Sequence, residues 1–237
     1  MVRINLISSP RNISTAFMYS FAQREDTIVL DEPFYAFYLE TSGADHPGRE
    51  EVLISQPVNE QEVLKKIFGP WDKPVLFIKN MAHHIELMNE SFLDDVINLF
   101  LIRNPRQIIS SYAQVINQPV MRDVGIEYQY QLFNRLKLKN QHPLVLDSGI
   151  LLENPEGVLN TLCERIGIPF STRMLKWASG PKPYDGVWAK HWYNNVHQST
   201  GFDKQPTSNR ALPNHLASLH EQALEYYTKL LPYSIHA

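Results

Sequence analysis

Residues 2–15 read VRINLISSPRNIST. Val2–Ser8 is an apolar run long enough for a buried strand, and Ser8-Ser9-Pro10-Arg11-Asn12 follows as a turn. Ile13–Arg24 then reads as a helix, with Phe17, Ser20 and Phe21 on one face. Strand, turn and helix with Ser14 and Thr15 at the helix start is the geometry of a phosphate loop. Unpaired N–H groups at a helix amino terminus point at an anion, and the helix dipole adds to the attraction. Arg11 places a fixed charge there, and the hydroxyls of Ser14 and Thr15 can donate. The pattern is not G-x-x-x-x-G-K-[ST]. Both glycines are missing, and an arginine precedes the loop where a lysine would close it, which weighs against a nucleotide kinase. Taken alone, Ser14-Thr15 reads equally well as an ordinary helix cap.

Outward from this stretch, Thr27–Leu30, Val75–Ile78, Val96–Ile102 and Leu144–Leu146 read as further short strands. Helices are predicted over Pro105–Val115, Glu127–Lys139, Pro155–Ile166 and Asn214–Leu231. Pro105 occupies a first turn, where its missing N–H costs nothing, and Asn154 and Gly167 cap and stop the helix between them. Alternating elements of this kind predict an α/β fold, a parallel sheet of about five strands flanked by helices. The candidate loops are Thr41–Glu51, Asn117–Gly125 and Pro181–Gly186. None is long enough to be a linker, so residues 1–237 are expected to form one domain. Ligands of parallel sheets lie at the carboxyl ends of the strands. Here those ends read Ser9-Pro10-Arg11, Asp31-Glu32, Lys79-Asn80 and Arg103-Asn104. Charged groups delivered repeatedly to one edge point to a polar active site.

The chain has 237 residues, 43% of them hydrophobic, and a formal net charge of −3. Nothing in that balance suggests bulk attraction to nucleic acid or to an anionic membrane, so an anionic ligand must be held by a few placed cations. The single cysteine, Cys163, excludes an internal disulfide and reads as a buried core thiol. Met1–Leu6 is too short for a signal peptide, and no run approaches the ~20 apolar residues of a membrane span, so a cytoplasmic location is expected.

Two stretches together carry a family resemblance. Ser9-Pro10-Arg11-Asn12-Ile13-Ser14-Thr15 resembles the 5′-phosphosulfate loop of sulfotransferases that use 3′-phosphoadenosine 5′-phosphosulfate (PAPS). Leu101-Ile102-Arg103-Asn104-Pro105-Arg106-Gln107-Ile108-Ile109-Ser110-Ser111-Tyr112 resembles their 3′-phosphate motif, with a strand-end arginine, Arg103, and a serine, Ser111, eight residues on. Leu144–Phe170 is similar to the family's later strand and helix, so the likeness covers roughly residues 2–170. It extends to the bacterial and plant sulfotransferase-like proteins, some of them labelled branched-chain aminotransferase-like. Three departures stand out. Ile13 replaces the loop glycine, Met81 stands where the cytosolic branch has its acceptor-side histidine, and the later glycine-rich loop is absent in its usual form. Ser199, Thr200 and Gly201 lie about where that loop should be.

The resemblance implies a P-loop NTPase-like fold, PAPS as sulfuryl donor and a small-molecule hydroxyl or amine acceptor. It implies cofactor contacts from Arg11, Asn12, Ile13, Ser14, Thr15, Arg103, Ser111, Ser199, Thr200 and Gly201. Glu32 is the expected base, as in other branches of the family, with Asp31 as its rival; Arg11 and Lys79 are expected to stabilise the transferring group. Phe34, Tyr35, Phe37 and Tyr38 follow Glu32 and read as acceptor pocket or as core, and Trp188, Trp192 and Tyr193 as covers for adenine or acceptor. His83 and His84 have only Glu86 near them at ligand spacing, so no metal site is expected. Two other readings stay open: a nucleotide phosphotransferase, and a non-catalytic module of the same fold that binds an anion or a protein partner.

Overall fold

The computed structural model describes residues 1–116, 118–203 and 210–237. Five parallel strands form one sheet in the order β2-β3-β1-β4-β5. They are β1 (Val2–Ser8), β2 (Thr27–Asp31), β3 (Val75–Met81), β4 (Ile97–Ile102) and β5 (Leu144–Asp147). Side chains alternate between the two faces of a strand. Ile7, Ile78, Phe100 and Val145 pack into the core on one face. Leu6, Phe77, Leu101 and Leu146 pack into the core on the other. Both faces are therefore covered, which is why these strands read as continuous apolar runs. Three buried asparagines interrupt the pattern and link three strands: Asn80 Nδ2 donates to Asn5 Oδ1 at 2.9 Å, and Asn5 Nδ2 to Asn98 Oδ1 at 3.2 Å.

All five expected strands are present, β1 with its expected bounds. β2 runs one residue further than expected, to Asp31, and β3 continues to Met81. Lys79 consequently lies inside β3 and is fully buried, not at a solvated strand end. The helix Pro155–Ile166 is as expected, capped by Asn154 Oδ1 accepting from the Gly157 N–H at 3.1 Å. The first helix is Ser14–Ala22, and its Phe21 ring stacks on Phe77 at 4.3 Å. Pro105–Tyr112 ends before Val115, and Ile126–Leu138 matches the next expected helix. At the carboxyl end a short 3-10 turn, Asn214–Leu216, precedes the helix Ala217–Leu230.

Two corrections concern loops. Thr41–Glu51 is not one loop: helices Tyr35–Ser42 and Arg49–Ser55 reach into it from both sides, leaving Gly43–Gly48 between them. Within Asn117–Gly125, Met121–Val124 forms a helical turn, and residue 117 lies outside the described residues. The helix Glu60–Phe68 was not anticipated. It buries Val63 and Ile67 and packs Leu64 and Phe68 against the same core, an i, i+4 pattern that the sequence carries. Cys163 is fully buried, and burial pushes its thiol up to about 11. Among the described residues no helix is long and apolar enough to cross a membrane.

Candidate active site

The carboxyl ends of β1–β4 open into a cavity of about 960 Å³. Its floor is the turn after β1. Asn12 builds that turn: Nδ2 donates to the Leu101 carbonyl on β4 at 3.0 Å, and Oδ1 accepts from the Ile13 N–H at 2.9 Å. Ile13 buries its side chain in the core, 7% exposed. Both residues border the cavity, but their side chains are spent on the shape of the loop. Among the described residues no side chain caps the first helix, which leaves its amino-terminal N–H groups without a side-chain partner there. Ser14 and Thr15, both buried, border the cavity at this helix end. Arg11 takes a positive φ of 54°, a conformation few non-glycine residues adopt and one that clusters at functional sites.

One wall is built of guanidinium groups. Arg11 Nε donates to Ser111 Oγ at 3.1 Å, tying the loop to the helix Pro105–Tyr112. Arg103 Nη1 donates to the Arg11 carbonyl at 2.9 Å, and its Nε to Gln107 Oε1 at 2.8 Å. Burial lowers the pKa of Arg11, and Arg210 lowers it further. Burial likewise lowers that of Arg103, with Arg11 adding to it and Asp147 opposing. Like charges gathered in a partly buried cavity are costly, and a multiply charged anion removes that cost. Asp147, at the end of β5, is itself fixed: Oδ1 accepts from Gly149 and Ile150 N–H groups, and Oδ2 from Tyr227 Oη at 3.0 Å.

A second part of the wall holds a buried lysine and two carboxylates. Lys79 Nζ lies 2.8 Å from Asp31 Oδ1, 2.5 Å from Glu32 Oε1 and 2.6 Å from Tyr193 Oη. Burial alone would lower the pKa of Lys79, but Asp31 and Glu32 more than reverse this, so the ammonium is charged. For Glu32, burial raises the pKa and Asp31 adds to it, while Lys79 pulls it back; the net direction is up. Glu32 also has a positive φ, 42°. Its N–H donates to the Lys79 carbonyl at 2.8 Å, and its carbonyl accepts from Gln56 Nε2 at 3.1 Å.

Residues 177–201 form a strap over this wall. Tyr193 Oη accepts from Lys79 and from Trp188 Nε1 at 3.0 Å, and donates to Asp31 Oδ2 at 2.8 Å. The Gly186 N–H donates to Asp31 Oδ2 at 3.1 Å. A Cβ at Gly186 would lie 2.1 Å from the Trp188 ring, so glycine is required there for the approach. Ser199 and Gly201 border the cavity. The Ser199 hydroxyl donates to the Val196 carbonyl and accepts from Trp177 Nε1. Thr200 is exposed and lies outside the cavity wall; its carbonyl accepts from the Trp177 N–H.

Beside Glu32 the wall turns aromatic. Tyr35 stacks on His84 with centroids 4.4 Å apart, and its Oη pairs with His46 Nδ1 at 2.9 Å. Burial drives His83 down to about 3 and His84 well below its usual value, so both imidazoles are neutral. Of the four aromatics after Glu32, only Tyr35 borders the cavity; Phe34 is buried in the core and Phe37 packs against it. Met81, Tyr112 and Trp192 complete this side.

The family profile described as Sulfotransferase domain matches residues 2–231. The chain belongs to the sulfotransferase domain family. It is 38% identical over 237 residues to branched-chain-amino-acid aminotransferase-like protein 1 of Arabidopsis thaliana, covering 97% of this chain and 42% of that protein. Protein 2 of the same name and plant is 36% identical over 229 residues, covering 96% of this chain and 41% of that protein. The chain thus spans about two fifths of the length of these curated relatives. Its fold is similar to the sulfotransferase domain from the curacin biosynthetic pathway, with a TM-score of 0.61 at 16% identity, covering 95% of this chain and 96% of that one. The sulfotransferase domain of the Synechococcus PCC 7002 olefin synthase gives 0.61 at 14%, covering 96% and 94%. A mouse sulfotransferase complexed with PAP gives 0.54 at 11%, covering 96% and 89%.

In this sulfotransferase domain the structure brings Arg11, Ser14, Thr15, Glu32, Lys79, Arg103, Ser111, Ser199 and Gly201 around one cavity. Sequence reasoning missed Asp147, because the strand read as ending at Leu146. It placed Tyr193 only among aromatic covers. A tyrosine beside Trp192 carries no mark of the buried carboxylate that its hydroxyl meets, 162 residues away in the chain.

Proposed function

We propose that this sulfotransferase domain moves a sulfuryl group from PAPS to a hydroxyl or amine of a small acceptor, with Glu32 as the proton acceptor. The observation that carries the reading is the presence, around one cavity, of a guanidinium cluster and a buried carboxylate–lysine cluster. The residues present fit PAPS. The uncapped helix start with Arg11, Ser14 and Thr15 suits the 5′-phosphosulfate, and Arg103 with Ser111 suits the 3′-phosphate. When bound, PAPS supplies the sulfuryl group and a phosphate leaving group.

The chain's own residues then orient and take a proton. Arg11, joined to both Ser111 and Arg103, holds its guanidinium toward anionic oxygens without having to reorganise during the reaction. Lys79 departs from its expected direct role. Its ammonium has three donors, and Asp31, Glu32 and Tyr193 take all of them. Its charge therefore opposes the upward pull of burial on the Glu32 pKa and favours the ionised form, which accepts the proton of the acceptor's hydroxyl. Once Glu32 is protonated, its hold on Lys79 weakens, and a donor is freed toward charge developing in the cavity. Asp31 accepts from Lys79, Tyr193 and Gly186, a bracing part rather than a second base.

The reading further takes residues 1–237 as one domain acting in a reducing compartment. Its test is transfer of labelled sulfate from PAPS to a panel of alcohols, phenols and amines. Labelled product from the parent and none above background from Glu32→Gln supports it; equal product from both removes Glu32 as base.

A further inference from the structure

Glu32 is anchored by one oxygen only. Its Oε1 receives Lys79 at 2.5 Å, with Tyr193 at 3.4 Å. Its Oε2 faces His84 Nδ1 at 3.6 Å, too far for a hydrogen bond. That nitrogen is itself an anomaly: it is buried and has no hydrogen-bond partner among the described residues, on a residue only 2% exposed. A buried polar atom left in this state needs an explanation. The His84 ring has little freedom to look elsewhere. Tyr35 stacks on one side at 4.4 Å, Tyr38 lies at 5.0 Å with an interplanar angle of 27°, and His83 meets it edge-on at 4.5 Å. The carboxylate has the free end, so any closure of the gap falls to Glu32.

We propose that His84 is a positioning residue for Glu32, donating from Nδ1–H to Oε2 when the site is working. The inference rests on Glu32 being the proton acceptor of the proposed reaction. Hydrogen bonds in ligand-free active sites are often long and tighten when the substrates bind. With Lys79 on Oε1 and His84 on Oε2, the carboxylate is fixed in plane, and its remaining lone pairs face the acceptor. His84 serves as a neutral donor, because burial and its neighbours His83, His46 and Lys79 all oppose a second proton on the ring.

The groups facing this pair come from every element packed around it. Asp31 lies on β2, Lys79 on β3, Tyr193 on the strap, Tyr35 and Tyr38 on the helix after Glu32, and His83 meets the ring edge-on with His46 beside His83. Arg122 stands over the Tyr38 ring at 5.5 Å. None of these lies between His84 Nδ1 and Glu32 Oε2 as a competing partner for the nitrogen.

The test reads the carboxyl directly and needs no acceptor. Protein labelled with 13C at the glutamate carboxyls is titrated by NMR in saturating adenosine 3′,5′-bisphosphate, and the Glu32 signal is assigned by its loss in Glu32→Gln. His84→Phe keeps the stacked ring and removes the nitrogen. A hydrogen bond to the charged form lowers a carboxyl pKa, so its loss is expected to raise that of Glu32 by about one unit. His84→Asn, which returns an amide N–H near the same place, is expected to restore most of the shift. The bisphosphate affinity stays within about twofold in both variants, because neither touches the guanidinium wall. An unchanged Glu32 titration in folded His84→Phe overturns the proposal, as does a shift that asparagine fails to reverse. If phenylalanine is not accommodated, His84→Leu replaces it in the same comparison. A Glu32→Gln protein that still transfers sulfate would instead defeat the base assignment, a separate result read in a separate assay.

Discussion

Lys79 Nζ sits 2.5 Å from Glu32 Oε1 inside a sheet strand, with no part of the lysine exposed to solvent. The contact joins β3 to the residue that follows β2, where Glu32 takes a positive φ. A buried lysine is tolerated only when its charge is met, and here Asp31 and Glu32 meet it together. The pair therefore has two consequences that can be separated by experiment, one for turnover and one for stability.

For turnover, Glu32→Gln keeps the side chain's size but cannot take a proton. General-base removal typically costs about 10²–10⁴-fold in rate, and that is the expected loss in sulfate transfer from labelled PAPS. Calorimetry should show bisphosphate binding almost unchanged, because Glu32 bonds to Lys79 and Tyr193 and makes no contact with Arg11 or Arg103 among the described residues. The net upward shift of the Glu32 pKa also sets the pH dependence. A base works only when ionised, so activity should fall as pH drops through a value above the ordinary glutamate range, leaving a plateau on the alkaline side. An acid limb at or below the ordinary value would contradict the role.

For stability, Lys79→Met removes the cation and leaves two buried carboxylates facing each other. Breaking one partner out of a buried pair costs about 3–5 kcal/mol, so a large fall in the denaturation midpoint is expected at neutral pH. Lowering the pH should recover part of the loss. Glu32 already has a raised pKa, and the folded variant gains stability as it takes up the proton that relieves the repulsion. A variant as stable as the parent would show that the pair is not buried as described.

At the guanidinium wall, Arg103→Ala should weaken bisphosphate binding by about tenfold to a hundredfold, the worth of a charge-assisted hydrogen bond of about 1.5–3 kcal/mol. Ser111→Ala should lose less, although it also frees the Arg11 side chain that Ser111 Oγ receives. Titration calorimetry of both variants decides the order. Equal binding in Arg103→Ala and parent would remove Arg103 from the 3′-phosphate site.

Tyr193→Phe tests the strap. The missing hydroxyl leaves Trp188 Nε1 and one donor of Lys79 without their acceptor in a buried setting. A loss of about 1–3 kcal/mol in unfolding free energy is expected from chemical denaturation. No measurable loss would mean that the strap is not docked on Asp31 in solution.

The strands were legible because each is an apolar run that stops at a polar cluster, and the sheet's carboxyl edge follows from them. The helix Pro155–Ile166 was legible to the residue, since Asn154 and Gly167 mark both ends. Lys79 shows where such reading stops. A pattern ends a strand at its first charge, yet the carboxylate that lets Lys79 stay in the strand lies 48 residues earlier in the chain. The same limit hid Tyr193 and His84, whose neighbours are set by packing. Ser199, Thr200 and Gly201 were placed by analogy with a glycine-rich loop. The strap brings Ser199 and Gly201 to the cavity and turns Thr200 to solvent.

Choice of ligand tests most directly whether the cavity holds two cationic phosphate sites beside the carboxylate–lysine pair, as proposed. Adenosine 3′,5′-bisphosphate, titrated into the protein without metal, should bind and raise the melting temperature, because a ligand that binds only the folded state stabilises it by mass action. ATP with Mg²⁺ should bind far more weakly, since it lacks a 3′-phosphate for Arg103 and meets no Walker lysine. A melting shift with ATP–Mg²⁺ and none with the bisphosphate would contradict the account.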